Sequence, residues 1–182
     1  MLDPGAEVLA VEEVFRGRVV HLRLEHARLP DGRTTLLELV AHPGASAVVP
    51  LASDGRVWLV RQWRHAVGRW LLEVPAGKLD PGEEPASCAL RECEEETGWR
   101  PQRLVDLGPL WTTPGFTDER IHLFAGLDLV MGEAQLQADE ALTPVAVPLE
   151  EAVRMALEGE IEDGKSIVAL LRTHHRCREG FR

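Results

Sequence analysis

The chain has 182 residues, of which 45% are hydrophobic and 27% charged, and its formal net charge is −10. This length favours one globular domain with a sizeable core, and the composition is ordinary for a soluble protein. The acidic balance argues against a general nucleic-acid or anionic-membrane binder, because such proteins need a basic surface. No apolar run approaches the length of a membrane span. The three cysteines, Cys88, Cys93 and Cys177, form neither a disulfide framework nor a zinc spacing, so we expect a protein of the reducing cytoplasm.

A small antiparallel sheet is predicted ahead of the main body of the chain. Its three strand-like runs are residues 7–15, 18–27 and 34–41. Asp31-Gly32 marks a tight hairpin turn before the third run. Strands that extend beyond a core sheet need somewhere to bury their apolar face, so we expect a homodimer formed through this sheet. The predicted domains are 1–42, the sheet extension, and 43–182, the main domain.

The main domain is predicted to begin with two strands, residues 46–51 and 57–63, which flank an Asp-Gly pair and form a second hairpin. Arg61 and Arg64 lie at the end of the second strand. Guanidinium groups that project from a strand can meet phosphate or an adenine ring. Arginines of a strand are also commonly just solvated, so this pattern alone leaves both interpretations open.

Residues 70–75 predict a short strand with one carboxylate, Glu73, among apolar neighbours. A lone carboxylate in such a strand is costly unless it is paired or bound to a ligand. We therefore expect Glu73 either to be bound to a ligand or to pair with Arg64 or Arg69.

The most informative segment runs from Gly77 to Trp99 and contains a helix predicted to start near Pro85 and to end at Gly98. Proline suits a first helical turn, and glycine suits the position after the last turn. One predicted helix face carries Ala86, Ala89, Leu90, Cys93 and Thr97. An adjacent arc carries Glu92, Glu95 and Glu96.

This acidic arc is unusual for a helix. Like charges three or four residues apart destabilise a helix by roughly 0.2–0.5 kcal/mol a pair, and the helix dipole disfavours acids in the last turns. A solvated acidic face is the ordinary explanation. A glycine-rich loop before the helix, and Arg91 among the acids and able to hold Glu95, favour instead a site for a hard divalent cation, Mg²⁺ or Mn²⁺.

Beyond this helix the sequence predicts three strands and two helices. The strands are residues 104–112, 120–129 and 145–147, and the helices are residues 148–157 and 163–174 with Asp163 as N-cap. The loop between the first two strands contains Pro114, Gly115 and Phe116, and loops with proline, glycine and an exposed aromatic often carry specificity. A later acidic loop contains Asp139 and Glu140.

The segment from Gly77 to Trp99 resembles the Nudix box position by position. The matching residues are Gly77, Glu83, Arg91-Glu92, Glu95-Glu96 and Gly98, with Cys93 and Trp99 at positions that usually carry aliphatic residues. The resemblance extends from Ser46 to Leu171 and implies an α+β fold, a Nudix-type α/β/α sandwich with a mixed sheet. It also implies a metal-binding loop-helix-loop and hydrolysis of a nucleoside diphosphate linked to another moiety.

The resemblance also implies roles for individual residues. Metal ligation falls to Glu92, Glu95, Glu96 and the Ala76 carbonyl oxygen, while Arg91 orients a carboxylate. Pro114 stands fifteen residues beyond Trp99, a placement that resembles the ADP-ribose hydrolases of the family. The substrate-binding residues implied by that subfamily, together with its specificity loop, are Glu38, Arg61, Arg64, Glu73, Pro114, Gly115 and Phe116.

A carboxylate outside the box is predicted to act on the catalytic water. Carboxylates bound to cations are poor bases, because the metal charge keeps them ionised and occupied. The base is therefore expected from a separate segment that approaches once substrate is bound. Glu140 is the first choice, since its distance from the terminal helices resembles that of the loop glutamate in ADP-ribose hydrolases. Asp139, Asp118 and Glu119 stay open as alternatives.

The predicted activity is Mg²⁺-dependent hydrolysis of ADP-ribose to AMP and ribose 5-phosphate. One alternative is another nucleoside diphosphate sugar, GDP-mannose or UDP-glucose, as the substrate. A second alternative is a catalytically silent Nudix domain that senses ADP-ribose or binds a partner. No nucleic-acid or membrane partner is expected.

Overall fold

A computed structural model describes residues 5–133 and 141–181 of the chain. The strands in these ranges are β1 (Glu7–Arg16), β2 (His21–Arg28), β3 (Thr34–Ala41), β4 (Ala45–Pro50), β5 (Arg56–Arg64), β6 (Arg69–Glu73), β7 (Ala76–Lys78), β8 (Trp99–Trp111), β9 (Arg120–Met131) and β10 (Leu142–Pro148). The helices are α1 (Pro85–Thr97), α2 (Leu149–Leu157) and α3 (Gly164–Arg178), with a 3-10 turn at His65–Val67. Two compact units are present, Met1–Pro43 with Trp111–Arg120, and Gly44–Leu110 with Ile121–Arg182. No α-helix in the described ranges is long and apolar enough to cross a membrane.

The first unit contains a three-stranded antiparallel sheet in the order β1-β2-β3, as the sequence predicts. Gly32 adopts a φ of 87° in the turn between β2 and β3, a left-handed conformation that glycine reaches without steric penalty. The segment 111–120 completes this unit, because the Val40 amide donates to the Phe116 carbonyl oxygen at 2.8 Å. Every residue of β1 is exposed. The predicted domain division at residue 42 stays a prediction.

The second unit is built on a mixed four-stranded sheet in the order β7-β4-β9-β8. β4 runs parallel to β9 and antiparallel to β7, and all of its residues are buried. Alternate residues of a strand point to opposite faces. Val48 and Phe124 pack with Ala89 and Cys93 of α1, whereas Val49 belongs to the larger core that includes residues of α2 and α3. Helices therefore cover both faces of the sheet, and the predicted α+β, α/β/α sandwich is confirmed.

One predicted hairpin is wrong. The turn after β4 forms as expected, with Gly55 at a φ of 83° and a hydrogen bond of 2.8 Å from the Ala52 amide to the Arg56 carbonyl oxygen. The flanking strands then separate, because β5 lies in a second antiparallel sheet of order β10-β5-β6. Next to the turn, Leu51 and Val57 form an isolated antiparallel bridge. The Asp-Gly pair fixes a local chain reversal, whereas β4 pairs with β7 and β9, and β5 pairs with β6 and β10.

Candidate active site

The helix of the box has the predicted ends but a different buried face. Pro85 lies in its first turn, and Gly98 follows its last turn at a φ of 74°. Glu92 and Glu96 are 5% and 3% exposed, so these two members of the acidic arc do not form a solvated face. Ala86, predicted on the apolar face, is exposed, because apolar contact with the sheet begins one turn later at Ala89.

Arg91 is the centre of the hydrogen-bond network around this helix. Its Nε and Nη2 atoms donate to the two carboxylate oxygens of Glu83, each at 2.9 Å. Its Nη1 atom donates to Glu92 Oε1 at 2.6 Å and to Glu95 Oε2 at 3.4 Å. The hydrogen bond from Arg91 lowers the pKa of Glu83 to about 2, and the pKa of Arg91 is raised in turn. The loop before α1 and the acidic arc are thereby tied to one guanidinium group.

The backbone of β7 lies against the acidic arc at Ala76 and Gly77. A Cβ atom at Gly77 would lie 1.8 Å from Glu92 Oε1, so only glycine allows the carboxylate to approach this closely. The Ala76 amide donates to Glu96 Oε2 at 3.2 Å. The glycine that opens the box is therefore explained by the space that the Glu92 side chain occupies.

These residues fit a hard divalent cation in the chemistry of their donors. Glu92, Glu95 and Glu96 offer carboxylate oxygens and Ala76 offers a carbonyl oxygen, the ligand types that Mg²⁺ and Mn²⁺ prefer. In the structure Arg91 holds two of the carboxylates. Within residues 5–133 and 141–181, no group of three His, Cys, Asp or Glu side chains stands in a metal-holding arrangement.

Glu73 lies in a second charged cluster, where its side chain is 1% exposed. Arg64 donates to its two oxygens from Nε and Nη2, both at 2.7 Å, and Lys165 Nζ also donates to it. Burial raises the pKa of Glu73, but the hydrogen bond from Arg64 and the charge of Lys165 outweigh that effect and lower it. Of the partners that the sequence suggests, Arg64 is the one found, since Arg69 pairs with Glu162 at 2.6 Å.

Sequence reasoning missed Lys165. Its partner Glu73 lies 92 residues earlier in the chain, and a lysine at the start of a helix carries no signal of such a contact. The other predicted arginine of this region, Arg61, lies over an aromatic ring. Its guanidinium carbon lies 4.9 Å from the centre of the Trp70 ring, in cation–π contact.

Glu38 and the loop residues Pro114, Gly115 and Phe116 belong to the first unit, and all four are exposed. The alternatives for the base in that loop have other partners, because Asp118 accepts from the His42 amide at 2.7 Å and Glu119 accepts from Thr112 Oγ1 at 2.7 Å. Glu140 and Asp139 lie outside the described residues.

The two cysteines of α1, Cys88 and Cys93, are buried. Burial raises the pKa of the Cys88 thiol and of the Cys93 thiol, each to about 12. A thiol that stays protonated at neutral pH is a poor nucleophile. The two thiols are therefore unsuited to act as nucleophiles.

The chain is similar to known proteins over most of its length. The NUDIX domain pattern matches residues 40–171. The chain is 39% identical over 166 residues to the ADP-ribose pyrophosphatase of Bacillus subtilis (strain 168), and equally to the methanol dehydrogenase activator of Bacillus methanolicus, with 90% of each chain covered in both cases. The crystal structure of an ADP compounds hydrolase superimposes with a TM-score of 0.84 at 21% identity, covering 97% of this chain and 96% of the other. The chain therefore belongs to the Nudix family of pyrophosphohydrolases.

Proposed function

We propose that the chain hydrolyses the pyrophosphate bond of ADP-ribose to AMP and ribose 5-phosphate with the help of Mg²⁺. The observation that carries this proposal is the pair of buried carboxylates, Glu92 and Glu96, held against Ala76 and Gly77 beside Arg91. The identity with the Bacillus subtilis ADP-ribose pyrophosphatase supports ADP-ribose as the substrate.

The proposed metal ligands are Glu92, Glu95, Glu96 and the Ala76 carbonyl oxygen. A bound Mg²⁺ ion supplies neutralisation of phosphate oxygens and acidification of water. The part of Arg91 is to hold the orientation of the carboxylates of the box, since one nitrogen of its guanidinium reaches both Glu92 and Glu95.

Arg64 is the proposed anion-binding residue for the substrate phosphates. Two of the five guanidinium N–H groups donate to Glu73, which leaves the others for a ligand. The side chain of Arg64 is 40% exposed, so these donors are accessible. Arg61, Glu38 and the loop residues from Pro114 to Phe116 remain proposed substrate contacts.

Glu140 remains the proposed base for the attacking water. Glu140→Gln is expected to lower kcat by roughly 10²–10⁴-fold, the effect of a lost general base, and to change KM little. Asp139→Asn is the matched control and is expected to change kcat much less. If Asp139→Asn is the damaging substitution, the base is its neighbour; if neither matters, the assignment to this loop is wrong.

A substrate panel tests the proposed activity directly. Product release would be measured for ADP-ribose, GDP-mannose and UDP-glucose, each with and without Mg²⁺. We expect ADP-ribose to be turned over fastest, and only when Mg²⁺ is present. Faster turnover of another sugar nucleotide would replace the substrate within the same family. Binding of ADP-ribose without turnover of any compound would favour a silent sensor.

A further inference from the structure

The start of α3 is joined to the strand that leads into the box. Arg69, at the beginning of β6, pairs with Glu162 in the connection before α3 at 2.6 Å. The Val74 amide, directly after β6, donates to Ser166 Oγ at 2.8 Å. These two contacts hold both ends of β6 against one short segment, 162–166.

Lys165 lies in the same segment, and its side chain is 11% exposed. Its Nζ atom donates to Glu73 and, at 2.9 Å, to Asp163 Oδ2. Asp163 is also the N-cap of α3, because its Oδ2 atom accepts from the Ser166 amide at 3.0 Å. The Lys165 ammonium group is therefore held at the N-terminus of α3 by hydrogen bonds to two carboxylates.

Glu73 consequently shares one carboxylate between two cations. Arg64 Nη2 and Lys165 Nζ both donate to Glu73 Oε2, while Arg64 Nε takes the other oxygen. The two cations, Arg64 and Lys165, face two carboxylates, Glu73 and Asp163, so what Lys165 adds at Glu73 is a second fixed hydrogen-bond donor. The second hydrogen-bonded cation also fixes the plane of the carboxylate, and a bidentate Arg–carboxylate pair follows that plane.

We propose that Lys165 is a positioning residue, which acts through Glu73 to hold the Arg64 guanidinium in the orientation that binds the substrate pyrophosphate. This inference rests on the proposed function, in which Arg64 contacts the substrate phosphates. Lys165 itself touches no substrate in this arrangement. Its loss therefore weakens substrate binding more than it slows the bond-breaking step.

The test compares Lys165→Met, Lys165→Arg and Arg69→Met with the unmodified chain. KM and kcat for ADP-ribose would be measured with Mg²⁺, and the dissociation constant of inorganic pyrophosphate would be measured by calorimetry. Lys165→Met is expected to raise both KM and the pyrophosphate dissociation constant by about tenfold, within the roughly 2- to 30-fold range of residues that act without touching a ligand. kcat should change by less than about threefold, and Lys165→Arg should restore most of the binding.

Arg69→Met is the matched control, because it breaks another contact between β6 and the same segment without touching Glu73. It is expected to leave KM and pyrophosphate binding unchanged. A change in Arg69→Met equal to that in Lys165→Met would reduce Lys165 to a general structural contact and overturn the proposal. Equal weakening in Lys165→Arg would do the same, because a cationic hydrogen-bond donor would then be irrelevant.

A double-mutant cycle tests whether Lys165 acts through Glu73. In a Glu73→Gln background, Lys165→Met should have little further effect on pyrophosphate binding. A full additional effect would show that Lys165 acts by another route. If ADP-ribose is not hydrolysed while pyrophosphate binding still depends on Lys165, the substrate is wrong and the positioning role stands.

Discussion

Arg91 donates hydrogen bonds to three carboxylates of the box, one in the loop before α1 and two in the acidic arc. Glu83 receives two hydrogen bonds from it, whereas Glu92 and Glu95 share one nitrogen. The spacing of the sequence predicts the contact with Glu95, because residues four apart meet on a helix. It does not predict the shorter contact with Glu83, because that residue lies before the helix and reaches Arg91 through the loop.

Glu92→Gln and Glu96→Gln are each expected to lower kcat by orders of magnitude at saturating Mg²⁺, because each removes a charged oxygen ligand. The folded state of each variant would be checked by circular dichroism. Glu94→Gln is the control on the same helix, since Glu94 pairs with Arg100 at 2.7 Å and lies outside the proposed ligand set. Near-normal turnover in both ligand variants would show that the metal assignment is wrong.

The lowered pKa of Glu83 predicts that the stability of the protein depends on pH. Its pKa in the folded protein is about 2, below the ordinary 4.5, so its contribution to stability is complete above pH 4.5 and is lost as the pH falls towards 2. The difference in unfolding free energy between the unmodified chain and Glu83→Gln should therefore be largest near pH 6 and should shrink below pH 4.5. Urea unfolding at several pH values measures this difference.

The partner of Glu83 provides the control for this pH effect. In an Arg91→Met background, Glu83→Gln should produce a difference that changes little between pH 6 and pH 3.5, because the guanidinium that lowers the pKa is absent. A pH dependence that persists in this background would assign the effect to another group.

Among the elements, those with local signals were predictable. Pro85 and Gly98 give the ends of α1, and Asp163 gives the start of α3, where it accepts from the Ser166 amide. The pairing of β4 with β9 was not predictable, because a parallel pair joins segments that are distant in sequence and share no turn. Partners that are distant in sequence also explain why the predicted hairpin between β4 and β5 is wrong, and why the contact between Lys165 and Glu73 was not predicted.

Gly98→Ala tests the end of α1. Gly98 has a φ of 74°, and a side chain in the left-handed region costs about 1 kcal/mol, so we expect a loss of about 1 kcal/mol of unfolding free energy. Gly164→Ala is the control, since that glycine starts α3 with open space around its Cβ position and without a left-handed φ. Its expected effect is neutral or stabilising by up to about 1 kcal/mol. Equal losses in the two variants would contradict this explanation of Gly98.

At the scale of the whole molecule, β1 is a strand whose apolar side chains are exposed. Val8, Leu9 and Val11 of this strand are all exposed, Val11 at 58%. Exposed apolar strands at a sheet edge are sites for association. We therefore expect a homodimer in which the first unit of one copy covers the first unit of the other.

Light scattering at working concentration should give the mass of two chains. Val11→Glu is expected to raise the dimer dissociation constant roughly fivefold or more, the effect of losing about 1 kcal/mol at an interface. Leu157→Glu is the control, because Leu157 is also an exposed apolar residue but lies at the end of α2 in the second unit. A monomeric unmodified chain, or equal weakening by both substitutions, would contradict a dimer formed through β1.

The segment 111–120 also has a consequence for the order of events on the ribosome. β1, β2 and β3 leave the ribosome first, yet the carbonyl oxygen that the Val40 amide binds belongs to Phe116, which is made 76 residues later. By then the strands from β4 to β8 and the helix α1 have already been synthesised. Domains usually fold during synthesis from the N-terminus onwards. In this chain the N-terminal unit stays incomplete until a segment is made that follows about half of the second unit.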